Sequence, residues 1–464
     1  MKKSILALIF SGAILFTSCE TEATVDSAEV QKIVDAAVAA ALQNYPNTQV
    51  IADAAAAAAT QAVNAGLASL DINGAIEAAL SAADALANPT VVRVGTGGVT
   101  YISSNTTWTN DKVWLMDGKI VVQNGATLTV EAGTIVKAAA GTGANATVLI
   151  VAKGAKIEAI GTAEKPIIFT DANDQIVYAN GTTSPNRSVT DKGLWGSVII
   201  LGNGIVGAAS GEANIEGVVS GYEFTKYGGS NNAENSGTLK YVSIRHTGTA
   251  VSPGNELQGL TMGGVGSGTV IENIELIGSE DDGIEIFGGA VNVTNIVIAN
   301  FDDDGIDLDQ AYDGTISNAV VIMAPGSDTV FEIDGTEEPN NAIVGEYTIK
   351  NVTAYGRSDA AKFDTFGNWK SDATGFNENV LFVDFPASTT LGGIDSDTYD
   401  GAGTAPIEGK LNFKDFIVVT SDSKATVVGG QVDEASATWI SVSTTRPSSK
   451  GANESVFGWT QFFN

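Results

Sequence analysis

Asp281-Asp282-Gly283-Ile284-Glu285-Ile286 returns 22 residues later as Asp303-Asp304-Gly305-Ile306-Asp307-Leu308. Carboxylates at this spacing do chemistry only if the chain coils with the same period and sets them side by side. Neighbouring strands lie about 4.8 Å apart, so like acids would crowd, and crowding raises their pKa unless a cation neutralises them. Ca²⁺ takes about 6–8 oxygen ligands and could bridge two such coils. The predicted ligands are drawn from Asp281, Asp282, Asp302, Asp303, Asp304, Asp307 and Asp309. Two other readings stay open on the residues alone. One is a solvated acidic turn whose Asp side chains cap backbone amides; the other is a catalytic carboxylate pair of the glycosidase type. Neither familiar calcium loop is present: Ala311 replaces the middle ligand of an EF-hand pattern at 309–314, and 263–268 lacks the Asp of a repeat-toxin loop.

Charge sharpens the same point. The 464 residues hold 54 acids and 24 bases, a net −30, and residues 246–349 hold 19 acids without one Lys or Arg. A chain so acidic lacks the cations that nucleic acid or an anionic lipid surface requires. One His and one Cys leave no basis for a zinc site or a disulfide framework. The basic groups that a β-elimination would need are Arg245, Arg357 and Lys362. The first is well separated in sequence from the other two, so they need not share a site. His246 follows a strand-like run and reads as a hydrogen-bonded structural residue. Trp369 and Tyr399, near Asp372, Asp395 and Asp397, suit either sugar stacking or loop packing. Gly202-Asn203-Gly204-Ile205-Val206-Gly207 matches a dinucleotide glycine pattern, but no helix-like segment follows, so it reads as a turn. No nucleophile elbow or phosphate loop is present.

The elements that would position the acids are short strands. From Val91 onward the hydrophobic pattern has period two, broken by Gly-containing turns. Asn273-Ile274-Glu275-Leu276 recurs from Asn295, Asn318, Asn351 and Asn379, at spacings of 22, 23, 33 and 28. A constant strand with variable spacing means coils of about 22 residues with loops inserted in the later ones, the first insertion placed at 325–346. Asn in register can hydrogen-bond to the Asn above and below. Stacked Ile284/Ile306 and Ile286/Leu308 would point inward. A parallel β-helix meets all of these conditions.

The beginning of the chain differs in kind. Met1-Lys2-Lys3 precedes an apolar stretch, Ser4 to Phe16, that reads as a secretory signal over 1–18. Phe16-Thr17-Ser18-Cys19 resembles a bacterial lipobox, which implies that Cys19 becomes the acylated first residue and the membrane anchor. In some Gram-negative surface lipoproteins, acids placed like Glu20 and Glu22 favour export to the cell surface. After a tether over 19–25, residues 26–88 hold 23 Ala and one aromatic, Tyr45, with helical i, i+3, i+4 spacing at Val30, Ile33, Val34, Ala37 and Val38. This predicts an Ala-rich helical stalk, able to self-associate, ending at Asn88-Pro89.

The domain expected over 89–464 resembles, from about 91 onward, secreted bacterial right-handed β-helix lipoproteins. The resemblance rests on Gly118 to Val122 with Gly125 to Thr134, Gly161 to Thr170, Leu194 to Gly202, Ser243-Ile244-Arg245-His246, Asp281 to Gly289, and Gly458-Trp459-Thr460. It implies an all-β, right-handed parallel β-helix displayed at the outer membrane, and it says more about fold and location than about activity. The function expected is a lipid-anchored, Ca²⁺-stabilised, non-catalytic module that binds a glycan or a surface protein or builds the envelope. The alternative is a polysaccharide-degrading enzyme of the pectate-lyase or glycoside-hydrolase kind.

Overall fold

The computed structural model describes residues 89–178, 181–218, 221–249, 257–336, 343, 345–357, 365–394, 411–430 and 432–463. Cys19, the stalk over 26–88, Lys362, Tyr399, Asp395 and Asp397 lie outside the described residues. The chain divides into two units. Val91–Ile176 with Ser184–Asn464 is the unit treated below.

Among the described residues, fifteen strands form one sheet and ten form a second, and the coil-to-coil pairings in both are parallel. The coils around the acidic repeat each give a short strand to the second sheet and a long one to the first: Ile284–Phe287 then Asn292–Phe301, next Ile306–Asp309 then Thr315–Ile322. The coil period seen in the sequence is therefore the register of the fold. Ile284 pairs with Ile306 and Ile286 with Leu308, and all four are buried in one continuous core. Columns of the same kind run through the first sheet, with Val242, Ile274, Ile296, Ala319, Val352, Val380 and Phe416 in successive register. Each aliphatic buried this way contributes about 1.5–3 kcal/mol.

The repeated Asn has two jobs. Asn295 donates to Asn273 at 3.0 Å, Asn318 to Asn295 at 2.7 Å and Asn379 to Asn351 at 2.8 Å, so the ladder exists. The same residues also bend the strand. Asn273, Asn295, Asn318, Asn351 and Asn379 have φ of 57, 58, 61, 58 and 56°, and strand pairing skips them. This left-handed conformation is unfavourable for most residues and tolerated by Asn. Asn295→Ala should therefore destabilise by about 1–2 kcal/mol from the backbone alone, and Asn295→Gly by less. Urea unfolding of the two variants reads the difference.

Two sequence expectations need correction. Residues 325–346 are not wholly an insertion, because Phe331–Asp334 is the next strand of the second sheet, with Phe331 on Ile306 and Ile333 on Leu308. This strand returns to register 25 residues after Ile306, three more than the 22 between Ile284 and Ile306. Trp369 is not a surface aromatic. It is fully buried, stacked between Ile333 and Ile394, because its strand alternates and its position faces inward.

Two segments cover the outside of the solenoid. Val206, Ile215, Val218, Phe224 and Tyr227, from the long connection 202–236, pack on the outward Val121, Ile150 and Ile199 of the second sheet. Residues 451–463 run back across the outer face of the first sheet. Gly451 N donates to Asn379, Ala452 N to Thr353, Asn453 N to Asn318 and Phe462 N to Glu275, while Phe457 packs on Val297 and Val320. The gap in the Asn ladder between Asn318 and Asn351 falls under this strap.

Candidate metal centre on an acidic face

One outward column of the second sheet organises the site. Val121, Ile150, Ile199, Thr261, Glu285, Asp307, Glu332 and Asn368 occupy successive coils in register. The first three are apolar and lie beneath the 202–236 connection. After Thr261 the column changes to carboxylates. Strand alternation forces this placement: Ile284 and Ile286 point inward, so Glu285 points out, and the same holds for Asp307 between Ile306 and Leu308.

The turn before each strand adds a second column. Asp282 accepts from Asp304 N at 2.9 Å, and Asp304 accepts from Thr329 N at 2.7 Å. These are coil-to-coil caps, one of the roles open in the sequence. Three carboxylate triads result, each with ligand atoms within 4.8 Å of one another: Asp281/Asp282/Asp303, Asp282/Glu285/Asp307 and Asp303/Asp304/Asp328. The middle triad is buried throughout, its members 5, 5 and 7% exposed. Glu285 Oε2 and Asp307 Oδ1 have no hydrogen-bond partner among the described residues. No Lys or Arg of the described residues forms an ion pair with this triad. Lys192 pairs with Asp302, and Lys370 with Glu332 at 2.5 Å and Asp334 at 3.0 Å.

The titration directions follow from this geometry. Burial, then the neighbouring Asp281 and Asp304, pushes Asp282 well above the usual carboxylate range. Burial with Glu216 and Asp282 does the same to Glu285, and burial with Asp309 and Asp282 to Asp307. Asp304 is pushed up to about 9 by burial and by its hydrogen bond to Glu332. Burial also acts upward on Glu332, but the Asp304 hydrogen bond and Lys370 outweigh it and hold Glu332 below its ordinary value. Without a cation the cluster keeps protons that ordinary carboxylates release.

Of the predicted ligands, Asp281, Asp282, Asp303, Asp304 and Asp307 come together in the triads. Asp302 turns to Lys192, and Asp309 is buried beside Asp307 without joining a triad. Glu285, Asp328 and Glu332 complete the face and were not in the predicted set. Glu285 stands at the repeat position of Asp307 and was recoverable from the period. Asp328 and Glu332 were hidden because 325–346 reads as an insertion. Glu216 comes from the distant connection, linked through Gln258, whose Nε2 donates to Glu216 at 2.7 Å and to Asp281 at 3.2 Å.

Of the candidate bases, Arg245 does not join the acidic cluster. Arg245 is fully buried on the first sheet, donating to Ser243 Oγ at 2.6 Å and to Glu275 at 3.2 Å. Glu275 also accepts from the strap. Arg357 is half-buried. His246 is fully buried with Nδ1 2.7 Å from the Asp191 carbonyl, the structural role expected. Gly202 to Gly207 forms a turn, with Gly204 N bonded to Gly264 O.

A family model described as a pectate-lyase like beta helix domain matches residues 100–463. No curated protein and no solved structure matches the chain.

Proposed function

The chain belongs to the pectate-lyase-like β-helix domain family, and from that premise we propose that it is a non-catalytic, Ca²⁺-stabilised module of the cell envelope. In this reading the β-helix is right-handed, the direction strongly favoured for parallel crossovers. Cys19 carries lipid, the Ala-rich stalk holds the β-helix away from the outer membrane and can self-associate, and the module faces the cell surface.

One observation carries the proposal: three buried carboxylates, Asp282, Glu285 and Asp307, meet with two oxygens unpaired and no cationic side chain among the described residues to neutralise them. Hard oxygen donors in this number suit Ca²⁺, which accepts irregular geometry and bidentate carboxylates. The ion would join adjacent coils and remove the repulsion between them. Arg245 supports the non-catalytic part, since it is sealed against Glu275.

Isothermal titration calorimetry of the metal-free protein should show saturable Ca²⁺ binding, with affinity falling at least tenfold in Asp307→Asn. An absence of binding heat and of any competition with a calcium dye would reject it. The family description favours polysaccharide cleavage as a second reading. Polyuronate incubated with the protein should give no rise in absorbance from unsaturated chain ends. A rise that is lost in Asp307→Asn would establish the enzyme instead.

A further inference from the structure

The connection over 202–236 does more than cover apolar strands. It meets the acidic coils at both ends of the strand Ile284–Phe287. Past the strand, Gly289 N donates to Ile205 O at 2.7 Å, and Tyr227 Oη donates to Gln310 Oε1 at 3.1 Å. Before it, Gln258 Nε2 donates to Glu216 Oε1 at 2.7 Å and to Asp281 Oδ2 at 3.2 Å. Gln258 is itself buried, and its Oε1 accepts from Thr261 Oγ1 at 2.6 Å, which turns the Nε2 toward the acids. Two carboxylates from distant parts of the chain thus share one amide nitrogen. The backbone that carries Glu216 is fixed as well. Ile215 and Val218 are buried in the apolar cluster beneath the connection, and Ile215 N donates to Thr225 O at 2.8 Å. After burial, Glu216 is the strongest influence on Glu285, ahead of Asp282, which offers a ligand atom within 4.8 Å of one on Glu285. Glu285 is 5% exposed, and its Oε2 lacks a partner among the described residues.

We propose that Glu216 is a further ligand of the cation, so that the ion fastens the 202–236 connection to the coils it crosses. The inference rests on the cation site at Asp282, Glu285 and Asp307 and adds to it a ligand from outside the repeat. Ca²⁺ takes about 6–8 oxygens, and three carboxylates reach the lower limit only if every one is bidentate. A fourth carboxylate relaxes that demand. Gln258 is the positioning residue, holding Glu216 and Asp281 toward the site as hydrogen-bonded outer groups do at metal centres. Binding and seating then share the same ion, and their coupling is reciprocal. A seated connection raises the affinity for Ca²⁺, and Ca²⁺ raises the cost of lifting the connection. Occupancy of a buried site is thereby expressed on a surface segment.

Hydrogen–deuterium exchange and calorimetry of the full chain at pH 8, in EDTA and with CaCl₂, test the proposal. In the wild type, Ca²⁺ should slow amide exchange in peptides of the connection roughly tenfold or more. Glu216→Gln keeps the oxygen that accepts from Gln258 and removes the charge. It should bind Ca²⁺ roughly tenfold more weakly or worse and lose most of that protection. Unchanged exchange of the core strands in EDTA would show that the variant folds. Glu223→Gln, on the same connection with a side chain 88% exposed, should alter neither readout. Wild-type affinity in Glu216→Gln, or Ca²⁺ protection confined to the strands, would overturn the proposal and leave the three-carboxylate site standing. Absence of Ca²⁺ binding by the wild type would overturn both. Asp307→Asn separates the two cases, because it should weaken binding whether or not Glu216 takes part.

Discussion

Phe457→Ala is expected to destabilise the protein by about 3–5 kcal/mol, the usual result of emptying a buried aromatic site. Phe457 is fully buried although it belongs to a short peripheral turn, Glu454–Phe457. It reaches Val297 and Val320, on two successive coils, and Phe462 and Phe463 pack onto the same patch. Trp459 meets Tyr241 edge-on at 5.4 Å, so the strap also touches an earlier coil. Backbone amides along the strap satisfy Asn379, Thr353, Asn318 and Glu275. In a solenoid each coil contacts only its neighbours, and a segment spanning several coils couples them into one unfolding unit. Ending the chain before Gly451 should therefore cost more than Phe457→Ala, because it also uncovers the buried Arg245–Glu275 pair. Urea unfolding followed by circular dichroism should show a lower midpoint for Phe457→Ala and a broader, less cooperative transition for the truncation. A shift within about 0.5 kcal/mol, the range of ordinary surface substitutions, would mean that the strap is passive.

The second large effect is a dependence on pH that Ca²⁺ reverses. Asp282, Glu285, Asp304 and Asp307 all have folded pKa values raised above those of the unfolded chain, with burial as the main cause in each. In the metal-free protein the folded state binds more protons, so stability falls as pH rises. Their contribution is complete below about 4, where both states are protonated, and is lost as pH rises through each folded value, which for Asp304 is about 9. His246 acts at the other end. Burial holds its pKa below 6.5, so its contribution is present above that value and lost as pH falls through the folded value. Metal-free protein should therefore melt at a lower temperature at pH 8.5 than at pH 6.5. Ca²⁺ requires ionised ligands and competes with protons, so its effect should grow with pH. At about 100 times its Kd it would add about 2.7 kcal/mol. Melting curves at both pH values, with EDTA or Ca²⁺, check the sign directly. A metal-free Tm that rises between pH 6.5 and 8.5 would contradict this account of the buried carboxylates.

Legibility in the sequence followed the physics of each feature. The coil period was visible because inward positions repeat the same residue types, as Ile284/Ile306 and Ile286/Leu308 do. The acidic corner was visible for the same reason. The left-handed bend at Asn295 was concealed, since an Asn in register has a second sufficient explanation in the side-chain ladder. Phe331–Asp334 was missed because Asp304 to Asp328 exceeds one coil length, and the irregular turn masked a strand that returns to register. On sequence alone Trp369, an aromatic beside charged residues, suits either sugar stacking or loop packing, whereas strand alternation turns it inward. The strap was unreadable for a different reason. Its contacts join residues such as Phe462 and Glu275, 187 positions apart, and no local pattern encodes a pairing over that distance.

The central claim is that Asp282, Glu285 and Asp307 form a cation site. The most direct measurement compares the Tm of the wild type with that of the isosteric double variant Glu285→Gln/Asp307→Asn, each at pH 8 in EDTA and in Ca²⁺. The wild type should gain several degrees from Ca²⁺ in a saturable way. The double variant should melt above the wild type in EDTA, because the cost of holding two buried carboxyl groups protonated at this pH is gone, and should not respond to Ca²⁺. A wild type indifferent to Ca²⁺, or a double variant stabilised by Ca²⁺ to the same extent as the wild type, would contradict the account.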